Sequence, residues 1–287
     1  MHAAARIWRS AFVLAALFAG IGSAAAGTID KMRADGAIRI AYREDAPPFS
    51  YREASNPAPG GYMVELCQAV ARRLGEQLKL PSLKVSYVAV TAANRFEAIE
   101  KGRADLLCEP TSATLARRKH VDFSIATFVD GASLLTRDPN LRGLGGLAGR
   151  KVGVLAGTTT EQGLHASLKA EKVDAEVVPA ATHVEGLAMI DRGDIQAYFA
   201  DRGILMFLLA SSRDPHALSI ADNYLTVEPY ALALPRGDED FRLEVDTALS
   251  HIYRSGEIGK VFDRTFSNRI RPTEMLKALY LLSSLPD

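Results

Sequence analysis

The chain of 287 residues has no excess charge of either sign: 34 Lys and Arg stand against 34 Asp and Glu. A nucleic-acid-binding face usually shows as a positive excess, so that class is disfavoured. Catalytic patterns are also missing. The sequence has no Gly-x-Ser-x-Gly elbow, phosphate loop, His-Glu-x-x-His or Cys–His cluster. Its six histidines (His2, His120, His165, His183, His216, His251) show no ligand spacing, and a metal site needs three or four converging groups. No metal and no cofactor are therefore expected. Cysteine is limited to Cys67 and Cys108, whose spacing fits no metal motif. In an oxidising compartment the two can pair; otherwise they serve as small buried hydrophobes. Sequence leaves that choice open, because the geometry of a disulfide decides it. Beyond the N-terminus no apolar run is long enough to span a bilayer.

The N-terminus reads as a targeting segment. Arg6 and Arg9 form a positive start, Ala11 to Ile21 is apolar, and Ala24-Ala25-Ala26 supplies a small-residue cleavage pattern. Residues 1–26 are expected to be a secretory signal peptide. No cysteine adjoins the site, so nothing there suggests a lipid anchor.

The remainder has enough apolar residues for real cores (48% of the chain) and is long enough for two domains. Residues 37–42 alternate like a strand. Val64 to Leu74 has helical apolar spacing, with Gly75 as the expected cap. Leu83–Val90 reads as a strand, Asn94–Lys101 as a helix closed by Gly102, and Ala104–Cys108 as a third strand. This is the rhythm of a parallel α/β sheet. It restarts with a strand at Lys151–Leu155, a helix at Thr160–Leu168, a strand at Ala175–Val178, a helix at Val184–Asp191 and a strand at Ala197–Ala200. Tyr230–Leu234 is a further strand, followed by helices at Asp240–Ser255 and Ile258–Phe266. Met275, Leu276, Leu279 and Leu282 predict an amphipathic helix near the end. Two α/β units in series imply two lobes.

What chemistry there is sits beside turns. Arg43 ends the first strand, Arg95 opens the helix after the second, and Arg117 follows the turn after the third. Ligands of parallel α/β sheets bind outside the carboxyl ends of the strands. Three guanidinium groups at such ends, with few acids nearby in sequence, can converge on carboxylates. In the second unit, Gly157-Thr158-Thr159-Thr160 lies between a strand and a helix, where N–H groups and hydroxyls can meet an anion or simply cap the helix. Asp201 ends a strand and can bind an ammonium or cap the next helix.

A set of stretches carries a family resemblance: Ala-Tyr-Arg-Glu-Asp-Ala-Pro-Pro-Phe-Ser-Tyr (41–51), Gly-Tyr-Met-Val-Glu-Leu-Cys (61–67), Thr-Ala-Ala-Asn-Arg-Phe (91–96), Cys-Glu-Pro-Thr-Ser-Ala-Thr-Leu-Ala-Arg-Arg-Lys-His-Val-Asp-Phe-Ser (108–124), Gly-Ala-Ser-Leu-Leu (131–135), Leu-Ala-Gly-Arg-Lys-Val-Gly-Val (147–154) and the terminal Ser-Gly-Glu-Ile … Phe-Asp-Arg-Thr-Phe (255–266). In this order they resemble the type II periplasmic binding proteins of polar amino-acid ABC transporters, bacterial extracellular solute-binding protein family 3, and within them the glutamate/aspartate-binding members. The resemblance covers Ile38 to Phe266. It implies two Rossmann-like lobes, 27–130 plus 231–287 and 131–230, joined by two hinge crossings near Asp130–Ala132 and Glu228–Tyr230. It implies a periplasmic monomer that binds an acidic amino acid and delivers it to a membrane permease.

The resemblance also implies roles. Arg117 matches the arginine that clamps the ligand α-carboxylate, helped by Ser112, Thr158 and the N–H of Thr159. Asp201 and the carbonyl of Pro110 match acceptors for the α-ammonium. Arg43, Arg95 and His183 match groups facing the side-chain carboxylate. Three positions depart from the pattern. Ala92 stands where a serine is expected, Glu109-Pro110 replaces a Gly-x pair, and Leu155-Ala156 makes the second-lobe loop more apolar. Two alternatives follow: an enzyme on this fold, such as a dehydratase of a cyclic carboxylic acid, with Glu109 or His183 as general acid or base, or a ligand sensor.

Overall fold

The computed structural model describes residues 26–266 and 271–286. Residues 1–25 of the expected signal peptide lie outside them. The first stretch runs α1 (Thr28–Asp35), β1 (Ala37–Arg43), a small hairpin of β2 (Asp45–Ala46) and β3 (Ser50–Tyr51), α2 (Tyr62–Gln77), β4 (Lys84–Val90), α3 (Arg95–Glu100), β5 (Leu106–Leu107) and β6 (Val121–Asp130). The chain then builds β7 (Ala132–Thr136), β8 (Lys151–Leu155), α4 (Thr159–Glu171), β9 (Glu176–Ala180), α5 (His183–Arg192), β10 (Ala197–Asp201), α6 (Arg202–Ser211) and β11 (Ser219–Ile220). It returns through β12 (Glu228–Pro235) and ends with α7 (Glu239–Arg254), α8 (Glu257–Phe266) and α9 (Glu274–Leu282).

Among the described residues two five-stranded sheets form, in the orders β4-β1-β5-β12-β6 and β11-β7-β10-β8-β9. The sheets are mixed rather than parallel. β1 runs parallel to β4 and β5, and β8 parallel to β9 and β10, but β12 and β7 run antiparallel to their neighbours. The chain leaves the first sheet at Gly131, between β6 and β7. A Cβ at Gly131 would collide with the carbonyl oxygen of Thr226 on the returning segment, so only glycine lets the two passages lie side by side. On return, Glu228 already pairs with Asp130.

In the first lobe α2 and α7 cover one face. Tyr62, Met63, Leu66, Val70 and Leu74 pack with Phe241, Val245, Leu249 and Ile252, all fully buried. On the other face Ala98 and Ile99 of α3 meet Ala41, Leu107 and Phe123. In the second lobe Leu164 and Leu168 of α4 pack on Val152, Val154 and Phe199. Each such side chain contributes about 1.5–3 kcal/mol by leaving water, and this packing holds the strand ends in place.

Several expectations need correction. Gly75 does not end α2; it lies inside it, and its carbonyl accepts the Leu80 N–H at 2.7 Å, while the reversal falls at Lys79 with φ 57°. α9 buries Leu276 and Tyr280, whereas Met275 and Leu282 stay exposed. Of the two states the sequence left open for Cys67 and Cys108, the structure has the disulfide, with Cα atoms 6.2 Å apart, tying α2 to the end of β5. The two cysteines are 41 residues apart in sequence. Closing a loop of that length in the unfolded chain is worth about 2–4 kcal/mol. The double variant Cys67→Ala/Cys108→Ala should therefore unfold at lower urea, with stability reduced by about that amount. An unchanged midpoint would show that the bond adds nothing to stability.

Candidate functional site

The two sheets face each other with the carboxyl ends of their parallel strands. Arg43 is the last residue of β1, Arg95 the first of α3 after β4, and Pro110 and Ser112 follow β5. Opposite them, Thr158 and Thr159 follow β8, His183 follows β9, and Asp201 ends β10. All nine residues expected at the site line one cavity, together with Thr160, Leu155, Phe199 and Ile204.

Arg43 and Arg95 are each only 3% exposed. Contrary to the expectation of few local acids, Glu109 is fully buried beside them. Its carboxylate lies 3.3 Å from Arg95 Nε and 3.7 Å from Arg43 Nη1. Arg43 Nε also donates to Asp45 at 2.9 Å. The Arg95 guanidinium donates to the carbonyls of Ala92, in its own lobe, and Gly157, across the cleft. Arg117 is held by a 2.8 Å bond from Nη1 to the Ser112 carbonyl. Phe96 lies under both Arg95 and Arg117, with guanidinium carbons 4.7 and 5.2 Å from the ring centroid. Burial pushes Arg95 down to about 10, even with Glu109 attracting its charge, so it remains protonated at neutral pH. Burial lowers Arg117 too, and raises Glu109 against the pull of the three arginines. Desolvation thus outweighs pairing on both sides of this cluster.

The second lobe contributes hydroxyls and one carboxylate. Thr158 caps α4: its Oγ1 accepts from Glu161 N–H at 3.2 Å and donates to the Leu155 carbonyl at 2.8 Å. Its only O–H is therefore committed to the Leu155 carbonyl. Thr159 Oγ1 donates to Glu228 at 2.7 Å and lies 3.2 Å from Ser112 Oγ. Asp201 accepts from Tyr230 Oη at 2.6 Å. His183 is buried with Nδ1 3.0 Å from Tyr198 Oη. Burial, with Arg43 adding to it, holds His183 well below the ordinary imidazole value, so the ring is neutral.

The family model of the bacterial extracellular solute-binding proteins, family 3, matches residues 38–268. The chain belongs to that family. It is 32% identical to an L-glutamate/L-aspartate-binding protein of Pseudomonas aeruginosa over 86% of this chain and 82% of the relative. It is 28% identical to a glutamate/aspartate import solute-binding protein of Escherichia coli over 93% and 90%. Among solved structures, an ancestral arginine-binding protein bound to glutamine superposes with a TM-score of 0.71 at 24% identity, over 80% of this chain and 98% of that one. An ancestral amino acid-binding protein described as a precursor of cyclohexadienyl dehydratase gives 0.72 at 23% identity, over 84% and 100%. Both structures share the fold of this solute-binding protein.

Sequence reasoning missed several groups of the site. Tyr230 and Glu228 belong to β12, far along the chain, and bond to second-lobe residues Asp201 and Thr159. Phe96 carried a visible signal, since it directly follows Arg95. Asp130, at the end of β6, accepts the N–H of Gly131 at 2.8 Å and of Gly203 at 3.0 Å, the latter at the start of α6. Burial raises Asp130 and Asp201, and each is further raised by neighbouring carboxylates: Asp201 acts on Asp130, Glu228 and Glu109 on Asp201.

A carboxyl whose pKa is raised on folding holds its proton more firmly folded than unfolded. Its stability contribution is full at low pH and is lost as pH rises through the raised value. The ligand-free protein should therefore lose stability between about pH 4 and pH 7. Asp130→Asn, which cannot ionise, should show a smaller loss over that interval in thermal unfolding. Equal slopes in the two proteins would remove Asp130 as a source.

Proposed function

We propose that this solute-binding protein captures an acidic amino acid, glutamate or aspartate, between its lobes in the periplasm and presents it to the membrane permease of an ABC transporter. The observation that carries the reading is the convergence of three arginines and one aspartate on a single cavity between the two lobes. The names of the relatives from Pseudomonas aeruginosa and Escherichia coli point the same way.

In this reading Arg117, with Ser112 and the N–H of Thr159, holds the ligand α-carboxylate. Asp201 and the Pro110 carbonyl take the α-ammonium, and Arg43, Arg95 and His183 face the side-chain carboxylate. The cavity has a volume of about 20 Å³. That is room for about one water, so entry of an amino acid requires the lobes to part. Lobe 1 comprises 27–130 and 231–287, lobe 2 comprises 131–230, and the passages around Gly131 and Glu228 act as hinges. The protein works as a monomer after its signal peptide, residues 1–26, is removed. Catalysis plays no part in this reading: Glu109 stands behind the two arginines and off the cavity wall, and His183 is tied to Tyr198.

Thermal unfolding against a panel of amino acids and organic acids tests the proposal. Ligand at about a hundred times its Kd adds about 2.7 kcal/mol to stability. Glutamate or aspartate should raise the melting temperature, and Arg117→Ala should weaken their binding by at least about 2–3 kcal/mol, because it strands a buried carboxylate. A shift with basic amino acids alone, or unchanged affinity in Arg117→Ala, would overturn it.

A further inference from the structure

Glu109 is the buried charge that the expected site does not account for. It is fully buried, and neither carboxylate oxygen accepts a hydrogen bond of good geometry; Thr111 Oγ1, two residues on, is buried and unpartnered as well. Its ion pairs to Arg95 and Arg43 are loose, at 3.3 and 3.7 Å. The groups that act on it are Arg43 on β1, Asp45 on β2, Arg95 on α3 and Arg117 after β5. Glu109 in turn acts on Asp201 at the end of β10, and neutral His183 on α5 lies near Arg43. At the far end of the cavity, the two positive charges of Arg43 and Arg95 are thus already matched by Asp45 and Glu109.

A carboxylate placed there adds a negative charge to a balanced set. An amide adds none, and its carbonyl oxygen can still accept from the two guanidinium groups. We propose that Glu109 is the specificity-determining residue of this arm. It admits amide side chains beside acidic ones, and it takes one proton from solvent when the bound side chain is a carboxylate. No other bond is made or broken in that step, and the net charge of the arm is unchanged by the ligand. The direction of the Glu109 shift agrees with this: burial already favours its protonated form. The inference rests on the acidic-amino-acid reading and extends its ligand class to glutamine and asparagine.

Isothermal titration calorimetry of the purified protein with L-glutamate and L-glutamine tests it, run in two buffers of different ionisation enthalpy between about pH 5.5 and 8.5. At neutral pH the Kd for glutamine should lie within about tenfold of that for glutamate. Glutamate should take up about one proton more than glutamine and weaken relative to it as pH rises, since Asp201 at the ammonium acts equally on both; that excess is the uptake due to Glu109. In Glu109→Gln the uptake should vanish, and the preference for glutamate should widen by about tenfold or more, since two buried guanidinium charges lose a counter-ion. Glutamate binding without uptake while glutamine fails to bind would overturn the role of Glu109 and leave the parent reading standing. Excess uptake that persists in Glu109→Gln would move the proton to Asp201, Asp130 or His183 and overturn it also. Binding of neither amino acid would overturn the parent reading, and this inference with it. The wild-type titrations alone decide the proton step if the variant does not fold.

Discussion

Two guanidinium groups cannot be buried side by side unless something anionic is buried with them. Arg43 and Arg95 meet that condition through Glu109 and Asp45. The condition shapes the whole first lobe. β1 must bring Arg43 to its carboxyl end, the turn after β4 must deliver Arg95, and β5 must place Glu109 between them. The Cys67–Cys108 bond is anchored one residue before Glu109 and fixes the end of β5 against α2. Phe96 then supplies an aromatic face shared by Arg95 and Arg117. The Glu109 part of this cluster is held by the packing around it, because its ion pairs to Arg95 and Arg43 are loose.

The second lobe is built on a different economy of interactions. It brings no cation to the cavity wall. It offers a capped helix start at Thr158, hydroxyls at Thr159 and Thr160, and the carboxylate of Asp201. Asp201 is bonded by Tyr230 of β12 in the first sheet, and Asp130 reaches from that sheet to the first turn of α6. The two raised carboxyls therefore sit where the lobes meet. The three arginines and Asp201 lie on opposite sides of one cavity, which suits a ligand carrying both an ammonium and carboxylates.

Much of this arrangement was legible in the chain. The strand–helix rhythm places Arg43, Arg95, Thr158 and Asp201 at strand ends, since period-2 and period-3.6 patterns mark where strands stop. Other features were not legible, for identifiable reasons. β7 is buried along its full length and does not alternate. β6 has an irregular burial pattern because its pairing with β12 slips at Tyr230/Ala231 and Ala231/Ala233. α6 is apolar nearly all round, with Met206 and Phe207 left partly exposed, so it shows no clear face. Glu109 follows a strand, as the arginines do, but its partners are 66 and 14 positions away, and pairing across such separations has no local signal. Glu228 and Tyr230 were hidden for the same reason.

The closed arrangement also sets what a ligand can gain. Ser112 and Thr159 bond to each other, Thr159 to Glu228, Tyr230 to Asp201, and the Arg95 guanidinium to Gly157 across the cleft. An incoming amino acid displaces some of these bonds and water, so each new neutral hydrogen bond is an exchange worth about 0.5–1.5 kcal/mol at most. Charged groups gain more, since bonds to ions are worth about 1.5–3 kcal/mol and strengthen as water is excluded. On the proposed binding mode selectivity comes from the charged residues, and among those from the arm of Arg43 and Arg95, which would face the side chain. In the proposed binding mode Arg117 and Asp201 would meet features common to every α-amino acid. The set of Arg43, Arg95, Asp45 and Glu109 is where, in that mode, a carboxylate, an amide and an alkyl chain would differ, and the proposed role of Glu109 is to set by how much.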